Sequence, residues 1–170
     1  MTDINQPLGE LIASVSSDLL RNDFSLITAE SCTGGMIAAE LTSIPGSSEW
    51  LAGAVVTYRV SAKRRMIGVR QETLDEFGAV SEPTAREMAI GALNASDAQV
   101  SVSVTGVAGP DGGDLVAPVG TVWFAWAVKN PEPLCVQTSR HDFSGSRDAV
   151  RTQAVRIALE GISRILRESD

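Results

Sequence analysis

The spacing of hydrophobic positions changes along the chain, and each spacing predicts a different element. Near the start, apolar residues recur at every third or fourth position, which predicts an amphipathic helix over residues 7–22. The same spacing returns over residues 146–168 and predicts a closing helix. Val100, Val102 and Val104 instead alternate with serines, which predicts a half-buried β-strand. Helices therefore begin and end the chain, and strands lie between them.

Short apolar runs predict the remaining strands, at residues 24–29, 53–58, 121–128 and 134–141. Helical stretches follow the first two runs. Ser81 begins a further helix, to about Asn94, because serine is a good N-cap and Glu82 and Pro83 suit a first turn. The connection at residues 129–133 is short, which favours an antiparallel hairpin between the last two strands.

The order of these elements, α-β-α-β-α-α-β-β-β-α, predicts an α/β fold with helices on both faces of the sheet. We expect a three-layer α/β/α sandwich whose sheet is mixed, mostly parallel and about five strands wide. No linker, internal repeat or low-complexity tract interrupts the 170 residues. Residues 1–170 are therefore expected to form a single domain.

The charge balance argues against nucleic acid as a partner. A formal net charge of −7 opposes the basic surface that binds phosphate backbones, although a local cationic pocket can still bind a small anion. No apolar run approaches the roughly 20 residues that span a bilayer, and the start lacks a secretory signal pattern. Cys32 and Cys135 are expected to be free thiols. We expect a cytoplasmic protein that binds neither nucleic acid nor membrane.

Metal chemistry has little support in the sequence. One histidine, two distant cysteines and no carboxylate cluster at ligand spacing offer few ligands. We therefore expect neither a metal nor another cofactor.

Three polar or glycine-rich segments follow predicted strands, at residues 30–35, 58–63 and 105–113. In open α/β sheets, ligands bind outside the carboxyl ends of the strands, so these segments are expected to line one crevice. The third is too long and glycine-rich for a simple turn. Its glycines can let the backbone close around a ligand, or it can be a mobile structural loop.

Ser31 lies where the first strand gives way to a helix. The helix opens on Thr33, Gly34 and Gly35, whose backbone N–H groups can approach an anion. A serine in this place can be a nucleophile beside an oxyanion hole, or only a helix cap. The pattern alone favours the cap.

A serine nucleophile requires a base. His141 is the sole histidine and lies on the last predicted strand, far along the chain. Lysine replaces histidine in Ser-Lys catalytic pairs, and Lys63 follows Tyr58 by five residues. The alternatives are that Lys63 is a solvated cation beside Arg64 and Arg65, and that Tyr58 is an ordinary strand residue.

Two arginines of the last helix are candidates for binding a phosphate. Arg147 and Arg151 are four residues apart and therefore lie on one face. A guanidinium group forms a planar fork to phosphate oxygens, but either arginine can equally pair with Asp142 or Asp148.

Five segments in this order resemble the CinA C-terminal family: residues 29–35 (AESCTGG), 56–58 (VTY) with Lys63, 78–81 (GAVS), 105–113 (TGVAGPDGG) with 118–121 (PVGT), and 143–151. The similarity extends over roughly residues 8–168. Members of that family are nicotinamide-nucleotide amidases, which hydrolyse the carboxamide of nicotinamide mononucleotide to the acid and ammonia, and they fold as α/β/α sandwiches. Some members carry a further N-terminal domain, whereas this chain resembles a stand-alone form.

The resemblance implies a role for each matching residue. Ser31 would be the nucleophile, Lys63 its base or an activating charge, and Tyr58 an aid to proton transfer. Thr105 would complete the catalytic group by binding the oxyanion or the substrate. The implied substrate-binding residues are Glu30, Thr33, Gly34, Gly35, Gly106, Gly109 and Arg147, the last for the phosphate. Between Tyr58 and Lys63, this chain has Arg59 where the family is polar and uncharged, which is expected to alter the pKa of the lysine.

The resemblance also implies a small nucleotide as partner and a homodimer as assembly. Two other functions stay open at this point. One is a metal-dependent hydrolase of phosphate esters or pyrophosphates. The other is a non-catalytic nucleotide-binding or protein-interaction module linked to competence.

Overall fold

A computed structural model of the protein describes residues 6–129 and 134–168. The helices within those ranges are α1 (Leu8–Arg21), α2 (Met36–Thr42), α3 (Val60–Ile67), α4 (Gln71–Phe77), α5 (Glu82–Asn94) and α6 (Arg147–Glu168), with a 3₁₀ turn at Ser47–Glu49. The strands are β1 (Leu26–Glu30), β2 (Leu51–Val56), β3 (Val100–Gly106), β4 (Thr121–Val128) and β5 (Cys135–Asp142).

The five strands form one sheet in the order β2-β1-β3-β4-β5. β1 pairs in parallel with both β2 and β3, whereas β4 runs antiparallel to β3 and β5. Four strands therefore point in one direction and β4 opposes them. The predicted mixed sheet is confirmed, and so is the hairpin pairing of the last two strands. The turn predicted within residues 129–133 lies, apart from Lys129, outside the described residues.

Helices cover both faces of the sheet and divide the buried residues into two clusters. α1, α2 and α6 pack on one face, with Val102, Phe124 and Trp126 at the centre of that cluster. α3, α4 and α5 pack on the other, where small side chains such as Ala89 and Ala125 let α5 lie close to the strands. This arrangement confirms the three-layer α/β/α sandwich.

Burial of both faces corrects the prediction for the strand that contains Val100, Val102 and Val104. Its serines were expected to face solvent, but Ser101 and Ser103 are fully buried. Each hydroxyl donates a hydrogen bond to a carbonyl oxygen of α5, to Ala89 at 2.8 Å and to Ala85 at 2.6 Å respectively. The alternation of valine and serine therefore distinguishes the two faces of the strand, both of which are buried. The serines can be buried because backbone carbonyls of α5 accept their hydrogen bonds.

Two features of the described ranges concern membranes and metal ions. No helix there is long and apolar enough to cross a membrane. The same ranges contain no group of three or more His, Cys, Asp or Glu side chains placed to hold a metal ion.

Candidate active site

The carboxyl ends of β1, β2 and β3 lie side by side and bring the three candidate segments together. The register places Glu30 between Val56 and Val104. The ladder continues one residue further on each side, where Ser31 N–H donates to the Val104 carbonyl at 2.9 Å and Thr57 N–H donates to the Glu30 carbonyl at 2.8 Å. A cavity of about 260 Å³ opens at this edge of the sheet.

Seven predicted site residues line this cavity: Ser31, Tyr58, Lys63, Thr105, Gly106, Gly109 and, from α6, Arg147. Ser31 follows β1, Tyr58 and Lys63 follow β2, and Thr105 is the penultimate residue of β3. The predicted residues therefore converge at the carboxyl ends of the strands, which is where ligands bind in open α/β sheets.

Lys63 and Ser31 are in direct contact at the floor of the cavity. Lys63 lies in α3, and its side chain is among the largest that are fully buried. Its Nζ donates to Ser31 Oγ at 2.8 Å and to the Thr57 carbonyl oxygen at 2.7 Å. The alternative of a solvated lysine is therefore wrong. Arg64 and Arg65 do face solvent, because they occupy the opposite side of the same helix.

Burial changes the proton affinity of this lysine. The loss of solvation disfavours the charged ammonium and lowers the pKa of Lys63 from 10.5 to about 8, a shift that the nearby Cys32 partly offsets. In the described part of the chain no carboxylate pairs with Lys63 to restore its charge. Near pH 8 much of the lysine is therefore neutral, and a neutral amine can accept the proton of the Ser31 hydroxyl.

Cys32 is the neighbour of Ser31 and also lines the cavity. Its side chain is buried, and burial raises the pKa of the Cys32 thiol from 9.0 to about 11. The thiol therefore stays protonated at neutral pH and is a poor nucleophile. Both Cys32 and Cys135 are free, as expected.

Glu30 was expected to bind substrate, but its carboxylate is committed to the start of α2. It accepts hydrogen bonds from the backbone N–H groups of Gly35 (2.9 Å), Ile37 (3.1 Å) and Ala38 (2.9 Å), and from Thr28 Oγ1 at 3.2 Å. The side chain is fully buried and does not line the cavity. Of the amides that were expected to meet a substrate anion, that of Gly35 is thus satisfied by the chain itself.

Thr33, Gly34 and Gly35 likewise do not line the cavity. They shape the turn that presents Ser31: the Ser31 carbonyl accepts from Gly34 N–H at 3.0 Å, and Gly35 has a φ of +95°, which favours glycine. Arg151 reaches this turn from α6 and donates to the Thr33 carbonyl at 3.0 Å. We therefore replace the predicted binding role of these residues by a positioning role.

Thr105 lines the cavity, and its hydroxyl group donates a hydrogen bond within the protein. Its Oγ1 donates to the Ala79 carbonyl at 2.7 Å, so its proton is already used within the protein and the oxygen can serve a ligand only as an acceptor. Gly106 is required by close packing, because a Cβ there would lie 2.7 Å from the Thr121 carbonyl oxygen. The segment at residues 78–81 (GAVS) contacts the site through the Ala79 carbonyl. No residue of this segment was predicted as a site residue.

Tyr58 and Arg147 form the mouth of the cavity. Tyr58 is 57 % exposed, and its hydroxyl oxygen accepts a hydrogen bond from Arg147 Nη2 at 2.9 Å. Arg147 Nη1 donates to the Gly109 carbonyl at 2.8 Å. No acidic side chain within the described ranges pairs with Arg147, whereas Asp148 lies 3.7 Å from Arg151. Of the two arginines, only Arg147 is placed to meet a ligand in the cavity.

His141 is remote from the cavity. It lies on β5, stacks on Phe143 with ring centroids 5.5 Å apart and meets the edge of Phe124. Burial lowers the pKa of His141, which keeps the imidazole neutral within this aromatic cluster. A Ser-His-Asp triad is therefore excluded by geometry.

The match to known sequences decides the family. The model of the CinA C-terminal domain matches residues 9–166. The chain belongs to this family. Among curated relatives, it is 52% identical over 160 residues to the nicotinamide-nucleotide amidohydrolase PncC of Escherichia coli K12, covering 94% of each chain. It is 44% identical over 156 residues to the protein of that name from Pseudomonas putida, covering 92% of this chain and 95% of the relative.

Solved structures of the CinA family have the same fold. The competence damage-inducible protein A of Klebsiella pneumoniae aligns with a TM-score of 0.91 at 39% identity, covering 97% of this chain and 100% of that one. A competence/damage-inducible protein of Agrobacterium tumefaciens aligns with a TM-score of 0.90 at 42% identity, covering 98% and 99%. The family thus includes proteins named for amide hydrolysis and proteins named for competence.

Proposed function

We propose that this chain is a nicotinamide-nucleotide amidohydrolase, which converts nicotinamide mononucleotide and water to nicotinate mononucleotide and ammonia. Its similarity to the PncC proteins supports this substrate. The observation that carries the chemistry is the 2.8 Å contact between Lys63 Nζ and Ser31 Oγ at the floor of the cavity. A serine paired with a buried lysine is a known arrangement for acyl transfer.

The first step uses the neutral form of Lys63. In the charged form Nζ donates to Ser31 Oγ, but after loss of one proton the same contact reverses and the hydroxyl donates to the amine. The bond to the Thr57 carbonyl holds the amine in place during this exchange. Ser31 Oγ then attacks the carboxamide carbon as its proton passes to Lys63, which gives a tetrahedral oxyanion.

The second step expels ammonia. The lysine returns its proton to the amide nitrogen, the carbon–nitrogen bond breaks, and a nicotinoyl ester remains on Ser31. Water then attacks the ester with Lys63 again as base, which releases the carboxylic acid and restores the hydroxyl. Donors for the oxyanion are expected from the backbone beside Ser31 and from the segment that follows Thr105.

The exposure of the cavity walls supports one direction for the substrate. Lys63 is 1% exposed and Ser31 is 8% exposed, so the reacting carboxamide belongs at the floor. Tyr58 and Arg147 at the mouth are exposed, so the phosphate belongs there, in water and next to the guanidinium group.

Arg147→Ala is expected to reduce the preference for the mononucleotide over its riboside by about 10- to 100-fold in kcat/KM, because one charge-assisted contact to the phosphate is lost. Steady-state rates on both substrates measure this ratio. Arg140→Ala is the matched control, because Arg140 pairs with Asp142 at 3.0 Å on β5 and does not line the cavity. Equal losses on both substrates would show that Arg147 acts only by holding Tyr58 and Gly109.

The rival function is a nucleotide-binding or protein-interaction module without catalysis. Ammonia release from nicotinamide mononucleotide, measured on the natural protein with a chelator present, separates the two. We expect release that the chelator does not affect. Calorimetric binding of the nucleotide without ammonia release would support the module, and release that the chelator abolishes would support a metal-dependent enzyme.

The homodimer and the cytoplasmic location expected from the sequence are part of this proposal. Sedimentation of the purified protein measures its mass in solution.

A further inference from the structure

The glycine-rich loop after β3 carries two aspartates whose side chains have different surroundings. Asp114 Oδ1 accepts hydrogen bonds from Val116 N–H and Ala117 N–H, both at 2.8 Å, and these bonds lower the pKa of Asp114. Asp111 is exposed and lines the cavity. Within the described ranges it has no hydrogen bond or ion pair. One aspartate therefore holds the loop, and the other is free to meet a ligand.

Backbone hydrogen bonds hold the loop on either side of Asp111. On one side, the Gly109 carbonyl accepts a hydrogen bond from Arg147. On the other, Asp114 N–H donates to the Ala117 carbonyl at 3.1 Å. These bonds restrict the loop before a ligand binds, which lowers the entropy cost of a contact made by Asp111.

Asp111 is the one acidic side chain among the described residues of the cavity lining, and like Arg147, which lines the same cavity, it is exposed. A substrate whose carboxamide reaches Ser31 places its ring in the cavity and its phosphate near Arg147. The ribose lies between ring and phosphate, and it has two adjacent hydroxyls. A carboxylate has two oxygens that accept only, which matches a pair of hydroxyl donors.

We propose that Asp111 is a specificity residue that accepts hydrogen bonds from the 2′- and 3′-hydroxyls of the substrate ribose. This inference rests on the proposed amidohydrolase function and adds the recognition of the sugar. The site then selects ribosylated nicotinamide by three separate contacts: the carboxamide at Ser31, the ribose at Asp111 and the phosphate at Arg147.

The experiment compares nicotinamide mononucleotide with its 2′,3′-dideoxy analogue on the natural protein, Asp111→Ala and Asp111→Asn. The natural protein is expected to favour the natural nucleotide by about 10- to 100-fold in kcat/KM, as for loss of hydrogen bonds to a charged group. Asp111→Ala is expected to bring this ratio close to one, and Asp111→Asn to an intermediate value. Asp148→Ala is the matched control, because Asp148 is next to Arg147 but its side chain is 90% exposed and outside the cavity lining.

The outcomes separate the possible roles of Asp111. A ratio that Asp111→Ala leaves unchanged overturns the proposal. Equal losses on both nucleotides also overturn it, because the carboxylate then acts on the positive ring and not on the hydroxyls. An unchanged melting temperature of each variant shows that the loop is intact.

Failure of the proposed function gives a different result, namely no ammonia from either nucleotide with the natural protein. The same ratio is then measured as dissociation constants by calorimetry. A preference for the natural nucleotide that Asp111→Ala removes supports the role of Asp111 in binding. A preference that persists, or no preference, contradicts it.

Discussion

Ser31→Ala is expected to lower the turnover number for nicotinamide mononucleotide by about 1,000-fold or more while the protein stays folded. The large loss is expected because no other side chain in the cavity can replace the nucleophile. The thiol of Cys32 is protonated at neutral pH, since burial raises its pKa to about 11. The fold is expected to persist because Ser31 joins its neighbours mainly through its backbone, from N–H to Val104 and from carbonyl to Gly34.

The measurement is single-turnover ammonia release, with Ser16→Ala as the matched control. Ser16 lies in α1, is not buried and donates only to the Ala13 carbonyl within its own helix. A loss of less than tenfold in Ser31→Ala would contradict the nucleophilic role. Rapid quenching and mass spectrometry of the natural protein should also find an adduct equal to the substrate minus ammonia. Loss of activity without any such adduct would indicate that Ser31 binds the amide while Lys63 activates water.

Most elements could be predicted because their hydrophobic spacing reports which face is buried. The helix expected over residues 7–22 is Leu8–Arg21, and the last helix begins and ends within a residue of its prediction. α4 was missed, because seven residues show little periodicity and, unlike the equally short α2, it does not directly follow a strand. Thr73 in α4 donates to Glu87 of α5 at 2.6 Å, a tertiary contact that no local pattern reveals.

The place of the site could also be predicted, but the surroundings of its side chains could not. The carboxyl ends of parallel strands meet at one edge, so three distant segments were expected to converge. Whether the backbone N–H groups at the start of α2 can bind a substrate depends on the direction of the Glu30 side chain. Its carboxylate accepts hydrogen bonds from three of them. Burial of Lys63 likewise depends on the packing of α3 against the sheet. Cys32 and Asp111 gave no signal beyond their position beside predicted residues.

Lys63→Met is expected to lower kcat/KM by about 1,000-fold or more, because the hydroxyl of Ser31 then has no base. In the natural protein, kcat/KM should rise with pH through a pKa of about 8, as Lys63 loses its proton. The value of kcat/KM rises with pH because Lys63 acts as a base in its deprotonated form. Any residual activity of the variant should lack this rise. An identical rise in Lys63→Met would assign the pKa to another group.

The same lysine should also make stability depend on pH. Its pKa is about 8 in the folded protein and 10.5 in the unfolded chain, so between these values the unfolded chain binds more protons. The contribution of Lys63 to the free energy of unfolding therefore increases as pH rises from 8 to 10.5, and the folded protein becomes more stable. The full term is about 3 kcal/mol, from 1.36 kcal/mol per pKa unit. Lys63→Met lacks this term, so the stability of the natural protein relative to the variant should increase by about that amount over the same range.

Urea unfolding of both proteins at several pH values between 7 and 10.5 measures this difference. Lys129→Met is the matched control, because Lys129 is only partly buried and its Nζ donates to the Leu93 carbonyl at 2.8 Å, far from Ser31. Stability curves of the natural protein and Lys63→Met that run parallel would show that Lys63 keeps its ordinary pKa when folded. The lysine would then be charged at neutral pH, and it would activate Ser31 by its charge instead of by accepting a proton.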